Sequence, residues 1–221
     1  MPSVFFDIRQ CDACGLRYPL VEGHPYGTRC PACTGETRVI LNWKLITEPK
    51  PDRPESVYLK GVKNAKIPKE GSEKRLAVLL DNIRSAWNVG SIFRSADGFG
   101  FVHAYLCGIT PTPENEAVTK TSLGAEDSVP WSYHKDAVRL VKGLKKEGYT
   151  VCALEEDARA ISVNDVSIST HPMILIIGNE VTGVDPELLD LCDRIYYIPM
   201  RGEKKSFNVS IAFSIAAYAL R

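Results

Sequence analysis

Two pairs of cysteines near the start of the chain have the spacing of a metal site. Cys11 and Cys14 form one Cys-x-x-Cys pair, Cys30 and Cys33 form another, and fifteen residues separate the two pairs. Each pair fits a tight turn whose sulfurs face one ion, and four thiolates close a tetrahedral zinc site with no position open for chemistry. The alternatives are disulfides, which a reducing cytosol disfavours, or a redox pair, which needs only one Cys-x-x-Cys. The pattern predicts a structural zinc ribbon.

The ribbon also contains cations and aromatic rings that suit RNA, by phosphate pairing and base stacking. A solvated surface or a docking face for another protein fits them equally well, so both interpretations stay open. The residues concerned are Arg9, Arg17, Arg29, Arg38, Tyr18 and Tyr26.

The first polar stretch whose side chains could take part in chemistry is NVGSIFRSADGFG, residues 88–100. Asn88 can cap the following helix, and Gly90 allows a backbone or a substrate to approach closely. Arg94 lies inside an amphipathic helix near its start. It points away from the core residues of that helix, so it either serves a site or is an ordinary surface arginine.

Two further stretches follow predicted strands. In IIGNEVTGVD, residues 176–185, Glu180 stands at the carboxyl end of a strand beside a glycine turn, where it serves a site or merely a turn. In IPMRGEKKSFNVSIA, residues 198–212, Ser206 and Asn208 open the C-terminal helix, a position that normally belongs to a helix cap. Small residues on one side of that helix permit close packing, either within the chain or against a second subunit.

The elements that must position these side chains alternate between apolar strands and helices. Nearly continuous runs of Val, Ile, Leu and aromatic residues indicate strands that are covered on both faces. We therefore predict an α/β fold with a mostly parallel sheet and helices on both faces, whose ligands bind at the carboxyl ends of the strands. The predicted strands are 76–81, 101–107, 150–155, 173–178 and 194–199, and the predicted helices are 91–98, 136–147, 186–192 and 208–220.

Composition gives three zones: a ribbon module at 1–42, a linker rich in Pro and Lys at 43–75, and a main domain at 76–221. The 221 residues carry 27 basic and 27 acidic side chains, but residues 1–75 hold 13 basic and 9 acidic ones, so a local basic stripe remains available for nucleic acid.

No stretch is long enough to span a membrane and no secretory signal is evident, so we expect a cytoplasmic protein. The absence of G-x-G-x-x-G and P-loop patterns argues against a Rossmann or P-loop enzyme, and the closed metal site argues against a zinc hydrolase.

Taken together, the three polar stretches are specific. In this order and spacing they resemble the three motifs of the SpoU (TrmH-type) RNA 2′-O-ribose methyltransferases of the SPOUT superfamily, and KTSLGAED, residues 120–127, resembles the segment between them. The resemblance covers residues 76–221 and leaves the ribbon as an added module.

The resemblance implies a sheet whose C-terminal part is tied into a trefoil knot, and a homodimer whose active sites are completed between subunits. S-adenosylmethionine would be held largely through backbone groups. The family's cofactor contacts correspond to Gly178, Ile198 and Phe207, with Leu154 in the first knot loop. The family usually has Leu where this chain has Phe207, but a backbone contact should survive that change.

The implied reaction transfers a methyl group to a ribose 2′-hydroxyl, which makes RNA rather than DNA the substrate. Ribosomal RNA is slightly favoured over transfer RNA, because the ribbon suggests a structured target. Arg94 would clamp a phosphate and stabilise the developing alkoxide, Asn88 and Glu180 would orient Arg94 and the ribose, and Ser206 and Asn208 would shape the third side of the site. The alternative function is a non-catalytic module that binds RNA or cofactor.

Overall fold

The computed structural model describes residues 4–21, 23–24, 27–45, 76–166, 171–204 and 206–221. They form two β-sheets, one in the N-terminal module and one in the main domain. Most of the predicted linker, residues 46–75, lies outside the described residues. Within the described ranges, no helix has the length and apolar character needed to cross a membrane.

The N-terminal module is a three-stranded antiparallel sheet in the order β2-β1-β3. Its strands are β1 (Val4–Cys11), β2 (Arg17–Val21) and β3 (Thr37–Leu45). β3 therefore continues past residue 42, where the sequence predicted the linker to begin. The buried apolar residues of the module are few among those described, which leaves it with a small core of its own: Phe6, Ile8, Cys11, Leu16, Tyr18 and Cys30.

The main domain contains a seven-stranded sheet in the order β6-β5-β4-β9-β7-β10-β8, and all its pairings are parallel. All five predicted strands are present, and β6 and the short β8 add one at each edge. The strands are β4 (Leu76–Asp81), β5 (His103–Cys107), β6 (Trp131–His134), β7 (Thr150–Leu154), β8 (Ile161–Ser162), β9 (Met173–Ile177) and β10 (Arg194–Tyr197).

Helices cover both faces of this sheet, which confirms the predicted α/β class. One buried cluster joins the sheet to α1 and α6, and a second joins the opposite face to α4 and α5. The helices are α1 (Ala86–Gly98), α2 (Glu116–Ser122), α3 (Ala125–Ser128), α4 (Ala137–Lys146), α5 (Pro186–Leu191) and α6 (Val209–Leu220).

The start of α1 corrects one prediction. The helix begins at Ala86 rather than at residue 91, and Asn88 lies inside it instead of capping it. The cap is Ser85, whose hydroxyl accepts a hydrogen bond from the Asn88 backbone N–H. A serine before the helix was the available signal for this cap.

Gly90 lets α1 and α2 pack closely. A Cβ at Gly90 would overlap the Thr121 side chain and the backbone carbonyl of Val118. The close approach predicted at this glycine is therefore made by the backbone of α2.

Gly90→Ala should lower the free energy of unfolding by about 2 kcal/mol, because α1 and α2 must separate to admit the methyl group. Gly98→Ala in the same helix is the control, since a Cβ there meets nothing within 4 Å. It should leave stability unchanged or slightly raised. Urea unfolding of both variants is the measurement, and equal effects would contradict this packing.

The ribbon docks on the main domain through a buried ion pair. The Arg17 guanidinium donates from Nε to Asp185 Oδ2 (2.7 Å) and from Nη2 to Asp185 Oδ1 (3.1 Å), with both side chains almost fully buried. Tyr18 is buried within the ribbon, where its hydroxyl donates to the Arg29 carbonyl at 3.2 Å, and Arg9 is buried against Thr37. The suggestion that these three side chains contact RNA is therefore wrong, whereas Arg29 and Arg38 are exposed. Tyr26 lies outside the described residues.

A second carboxylate, that of Asp81, lies behind the ion pair. Its Oδ2 accepts from the Asp185 backbone N–H at 3.1 Å, and its Oδ1 accepts from the Asn82 amide at 2.8 Å. Burial and the neighbouring Asp185 carboxylate raise the pKa of Asp81 to about 7, although its hydrogen bonds and Arg17 oppose the shift.

This pKa predicts a pH dependence of stability. Between pH 5 and 7 the folded chain holds a proton on Asp81 that the unfolded chain has released, so this stabilising contribution is lost as the pH rises. Asp81→Asn removes the titration. The free energy of unfolding of the wild type, relative to this variant, should fall from pH 5 to 7 and level off above. A difference that stays constant across this range would show that Asp81 does not titrate there.

Candidate active site

Glu180 organises the start of α1. Its carboxylate accepts hydrogen bonds from the backbone N–H groups of Arg84 (2.9 Å) and Ser85 (3.1 Å), and from the side-chain amide of Asn88 (3.0 Å). A negative charge at the N-terminus of a helix is favoured by the helix dipole and by the unpaired N–H groups there. Glu180 therefore ties the loop after β9 to the loop after β4.

Asn88 extends this link to the C-terminal helix. Its Oδ1 accepts from the side-chain amide of Asn208 at 3.0 Å, and Asn208 Oδ1 caps α6 by accepting from the Ser210 N–H at 2.9 Å. Donors and acceptors alternate consistently along Glu180, Asn88 and Asn208. One hydrogen-bond chain thus joins all three sequence motifs.

The other two predicted catalytic residues stand outside this chain. Arg94 is exposed and forms no hydrogen bond or ion pair with any residue that the structure describes. Arg94 follows Asn88 by six residues in α1. Because each residue turns the helix by about 100°, the two side chains lie about 120° apart around the helix axis. Ser206 is exposed two residues before Asn208 and makes no side-chain contact with the motifs in the described ranges.

Three of the predicted cofactor residues lie at one edge of the sheet. Leu154 ends β7, Gly178 follows β9 and Ile198 follows β10, and these strands are neighbours in the order β9-β7-β10. Ile177 and Tyr196 are the register partners of Leu154. Phe207 lies in the loop before α6, where its ring is exposed.

The loop from Gly178 to Asp185 is tightly folded beside this edge. A Cβ on Gly178 would overlap the backbone of Gly183 and Val184. Asn179 and Gly183 exchange backbone hydrogen bonds of 3.0 and 2.9 Å, and the Asn179 side-chain amide donates to the carbonyl of Asn82 at 2.7 Å. The loop therefore presents backbone groups and little side-chain bulk next to the strand ends.

Glu155 supports this loop, and the sequence analysis missed it. Its Oε2 accepts from the Val184 N–H at 3.0 Å, and its Oε1 accepts from the Glu156 N–H at 2.9 Å. Burial raises its pKa, although both backbone bonds oppose the shift. A carboxylate at the last position of the predicted strand 150–155 was the one signal available in the sequence.

The four ribbon cysteines converge. Their sulfur atoms all lie within 4.8 Å of one another, with Cys11 and Cys33 at 3.5 Å and Cys14 and Cys30 at 3.7 Å. Zinc bonded to sulfur at about 2.3 Å needs tetrahedral edges of about 3.8 Å, so the four thiols fit this ion. The backbone N–H of Cys14 lowers the pKa of the Cys11 thiol to about 7, which favours the thiolate form.

Comparison with known proteins decides the family. The sequence profile described as the SpoU rRNA methylase family matches residues 75–218. The chain belongs to this family.

Relatives of the SpoU chain agree with that placement. A tRNA (guanosine(18)-2′-O)-methyltransferase of Thermus thermophilus is 34% identical over 145 residues, covering 65% of this chain and 72% of the relative. A 23S rRNA (guanosine-2′-O-)-methyltransferase RlmB of Xanthomonas axonopodis pv. citri is 30% identical, covering 66% of this chain and 57% of the relative.

The fold matches solved structures of the same family. The SpoU methyltransferase AviRb of Streptomyces viridochromogenes, in complex with AdoMet, superposes with a TM-score of 0.61 at 27% identity. The match covers 66% of this chain and 59% of that one. The ribbon lies before the segment that the family profile matches, so its role must be argued from this chain alone.

A carboxylate at position 88 tests the hydrogen-bond chain. Asn88→Asp places a negative charge against Glu180 and removes a donor, so we expect a loss of about 1–2 kcal/mol in the free energy of unfolding at pH 8. The repulsion raises both carboxyl pKa values in the folded state, so part of the loss should be recovered near pH 4.5. Asn88→Ala is the uncharged control and should lose about 1 kcal/mol at both pH values. Identical pH profiles for the two variants would contradict the contact.

Proposed function

We propose that this SpoU-family chain transfers a methyl group from S-adenosylmethionine to a ribose 2′-hydroxyl of RNA. The observation that supports this most is the hydrogen-bond chain of Glu180, Asn88 and Asn208. It brings the three motifs to one place, beside the carboxyl ends of the strands where ligands bind in such sheets.

The strand edge suits the cofactor. Leu154, Gly178 and Ile198 end neighbouring strands, and Gly178 has no room for a Cβ, so backbone groups would do most of the binding. Phe207 would add a backbone contact from the loop before α6. When bound, S-adenosylmethionine supplies an activated methyl group, which leaves positioning and electrostatics to the protein.

The chain's own residues would act on the RNA. Arg94 is a permanently charged guanidinium without an internal partner among the described residues, which suits bidentate binding of a phosphate and stabilisation of a developing alkoxide. Glu180 and Asn88 would fix the start of α1 and orient the ribose. Ser206 and Asn208 would form the third side.

We further propose a homodimer in which Arg94 serves the site of the other subunit. Its position about 120° around α1 from Asn88 supports this, because the hydrogen-bond chain of its own subunit lies on another face. α6 exposes Ile211 (51%) and Tyr218 (60%), a surface that suits a second copy.

The predicted trefoil knot and zinc site belong to the same proposal. β9 lies between β4 and β7 although it follows both in the chain, and β10 lies on the far side of β7, an order that suits a threaded C-terminal part. The spacing of the four sulfur atoms supports a structural zinc ion held by Cys11, Cys14, Cys30 and Cys33.

RNA is the proposed substrate class because both named relatives methylate RNA, one a tRNA and the other 23S rRNA. Both names specify guanosine, so we propose guanosine as the target nucleoside here. The preference for ribosomal over transfer RNA stays a prediction from the sequence, as does the cytoplasmic location.

The central test measures transfer of labelled methyl from S-adenosylmethionine to unmodified total RNA. Arg94→Ala should lower the rate at least about 100-fold and leave the cofactor dissociation constant within about twofold. Arg139→Ala, another exposed arginine on a helix, is the matched control and should keep full activity. Cofactor binding without transfer to any RNA by the wild type would favour the non-catalytic module instead.

A mixing experiment tests the shared site. Arg94→Ala and Glu180→Ala should each be inactive, but equal mixing should restore about a quarter of wild-type activity. Random pairing makes half the dimers mixed, and each mixed dimer has one intact site of two. An inactive mixture in which mixed dimers are shown to form would place Arg94 and Glu180 in the same subunit's site.

A further inference from the structure

The contact between the ribbon and the main domain involves the loop beside the proposed cofactor site. Arg17 reaches Asp185, 168 positions away in the chain, with two hydrogen bonds between nearly fully buried groups. The Arg17 backbone N–H also donates to the Lys135 carbonyl at 3.0 Å, and Gln10 donates to Asp136 at 3.2 Å. The ribbon is thus fixed against the ends of β5 and β6.

Asp185 is the last residue of the tightly folded loop that starts at Gly178. Its Oδ1 caps α5 by accepting from the Glu187 N–H at 2.9 Å, and its own N–H donates to Asp81. Val184, one residue earlier, is held by Glu155. Any movement of Asp185 therefore moves the end of the loop that packs against Gly178.

The conformation of the loop at Asp185 depends on a positive charge that the ribbon supplies. Asp185 and Asp81 are buried carboxylates joined through the Asp185 backbone N–H, and Arg17 is the cation that Asp185 pairs with among the described residues. A buried carboxylate without its counter-ion is strongly destabilised. Removing Arg17 would leave the Asp185 carboxylate buried without a counter-ion. A movement of Asp185 toward water would relieve this cost and would change the conformation of the loop.

The position of Arg17 is linked to the four cysteines through the short segment between Cys14 and β2. Arg17 begins β2 three residues after Cys14, and the Cys11 N–H donates to the Leu16 carbonyl at 2.9 Å. Among its described residues the ribbon buries six apolar side chains, two of them zinc-ligand candidates, so bound zinc would supply much of its order. Zinc bound by the cysteines would therefore keep Arg17 in place.

We propose that Arg17 is a positioning residue for the cofactor loop, through which the metal-bound ribbon holds Asp185 and with it the loop from Gly178 to Asp185. This inference rests on the proposed function for the identity of the cofactor. It makes the ribbon a docked part of the catalytic domain.

The test compares S-adenosylmethionine binding by calorimetry in the full chain and its variants. Arg17→Met should weaken binding about tenfold, whereas Arg38→Met, an exposed ribbon arginine paired with Asp12 at the surface, should change it less than twofold. The double variant Arg17→Met with Asp185→Asn should regain most of the loss, because it removes the stranded charge and keeps the α5 cap. A loss of packing alone would not be rescued this way.

Hydrogen exchange provides the second measurement, which needs no cofactor. Amides of residues 179–185 should exchange faster in Arg17→Met and in wild type depleted of zinc with a chelator, and not in Arg38→Met. Unchanged exchange and unchanged cofactor affinity in Arg17→Met would overturn the proposal. If the wild type fails to bind S-adenosylmethionine, the proposed function fails, and the exchange of this loop still decides the role of Arg17.

Discussion

The geometry of the candidate site depends on one exposed carboxylate, which accepts hydrogen bonds from the backbone N–H groups at the start of a helix. The N–H groups at the start of a helix lack partners within it, and Glu180, in the loop after β9, accepts from the N–H of the cap residue Ser85 and of Arg84 before it. Because the same carboxylate also receives the Asn88 amide, the position of α1 becomes linked to the loop after β9. Asn208 then links α6 to both, so local helix-end chemistry places three distant parts of the chain together.

The sheet could be predicted from sequence because its strands are nearly uniform apolar runs, and Leu76–Asp81 is buried along its whole length. β6 was missed because Trp131–His134 is short and at an edge, with no fully buried residue. The true start of α1 was missed because two cap residues competed, and Ser85 satisfied the geometry that Asn88 was expected to satisfy. Local patterns identify elements well, and they do not decide between neighbouring caps.

The sequence predicted individual residues of the candidate site only within the three motifs. Glu155 and Asp185 hold the loop from Gly178 to Asp185 through contacts that span 29 and 104 positions. Such contacts leave no periodic signal. The arginines of the ribbon show the same limit, because Arg17 and Arg38 look alike in sequence, yet one is buried against Asp185 and the other is exposed.

The bridge between Asn88 and Asn208 spans 120 positions, which has a consequence for the timing of synthesis. At roughly 5–20 residues per second, residue 208 is made about 6–24 s after residue 88. During that interval β5 to β10 are made one after another, but α6 does not yet exist. A growing chain therefore lacks the bridge between the first and the third motif until residue 208 has been added and α6 can form.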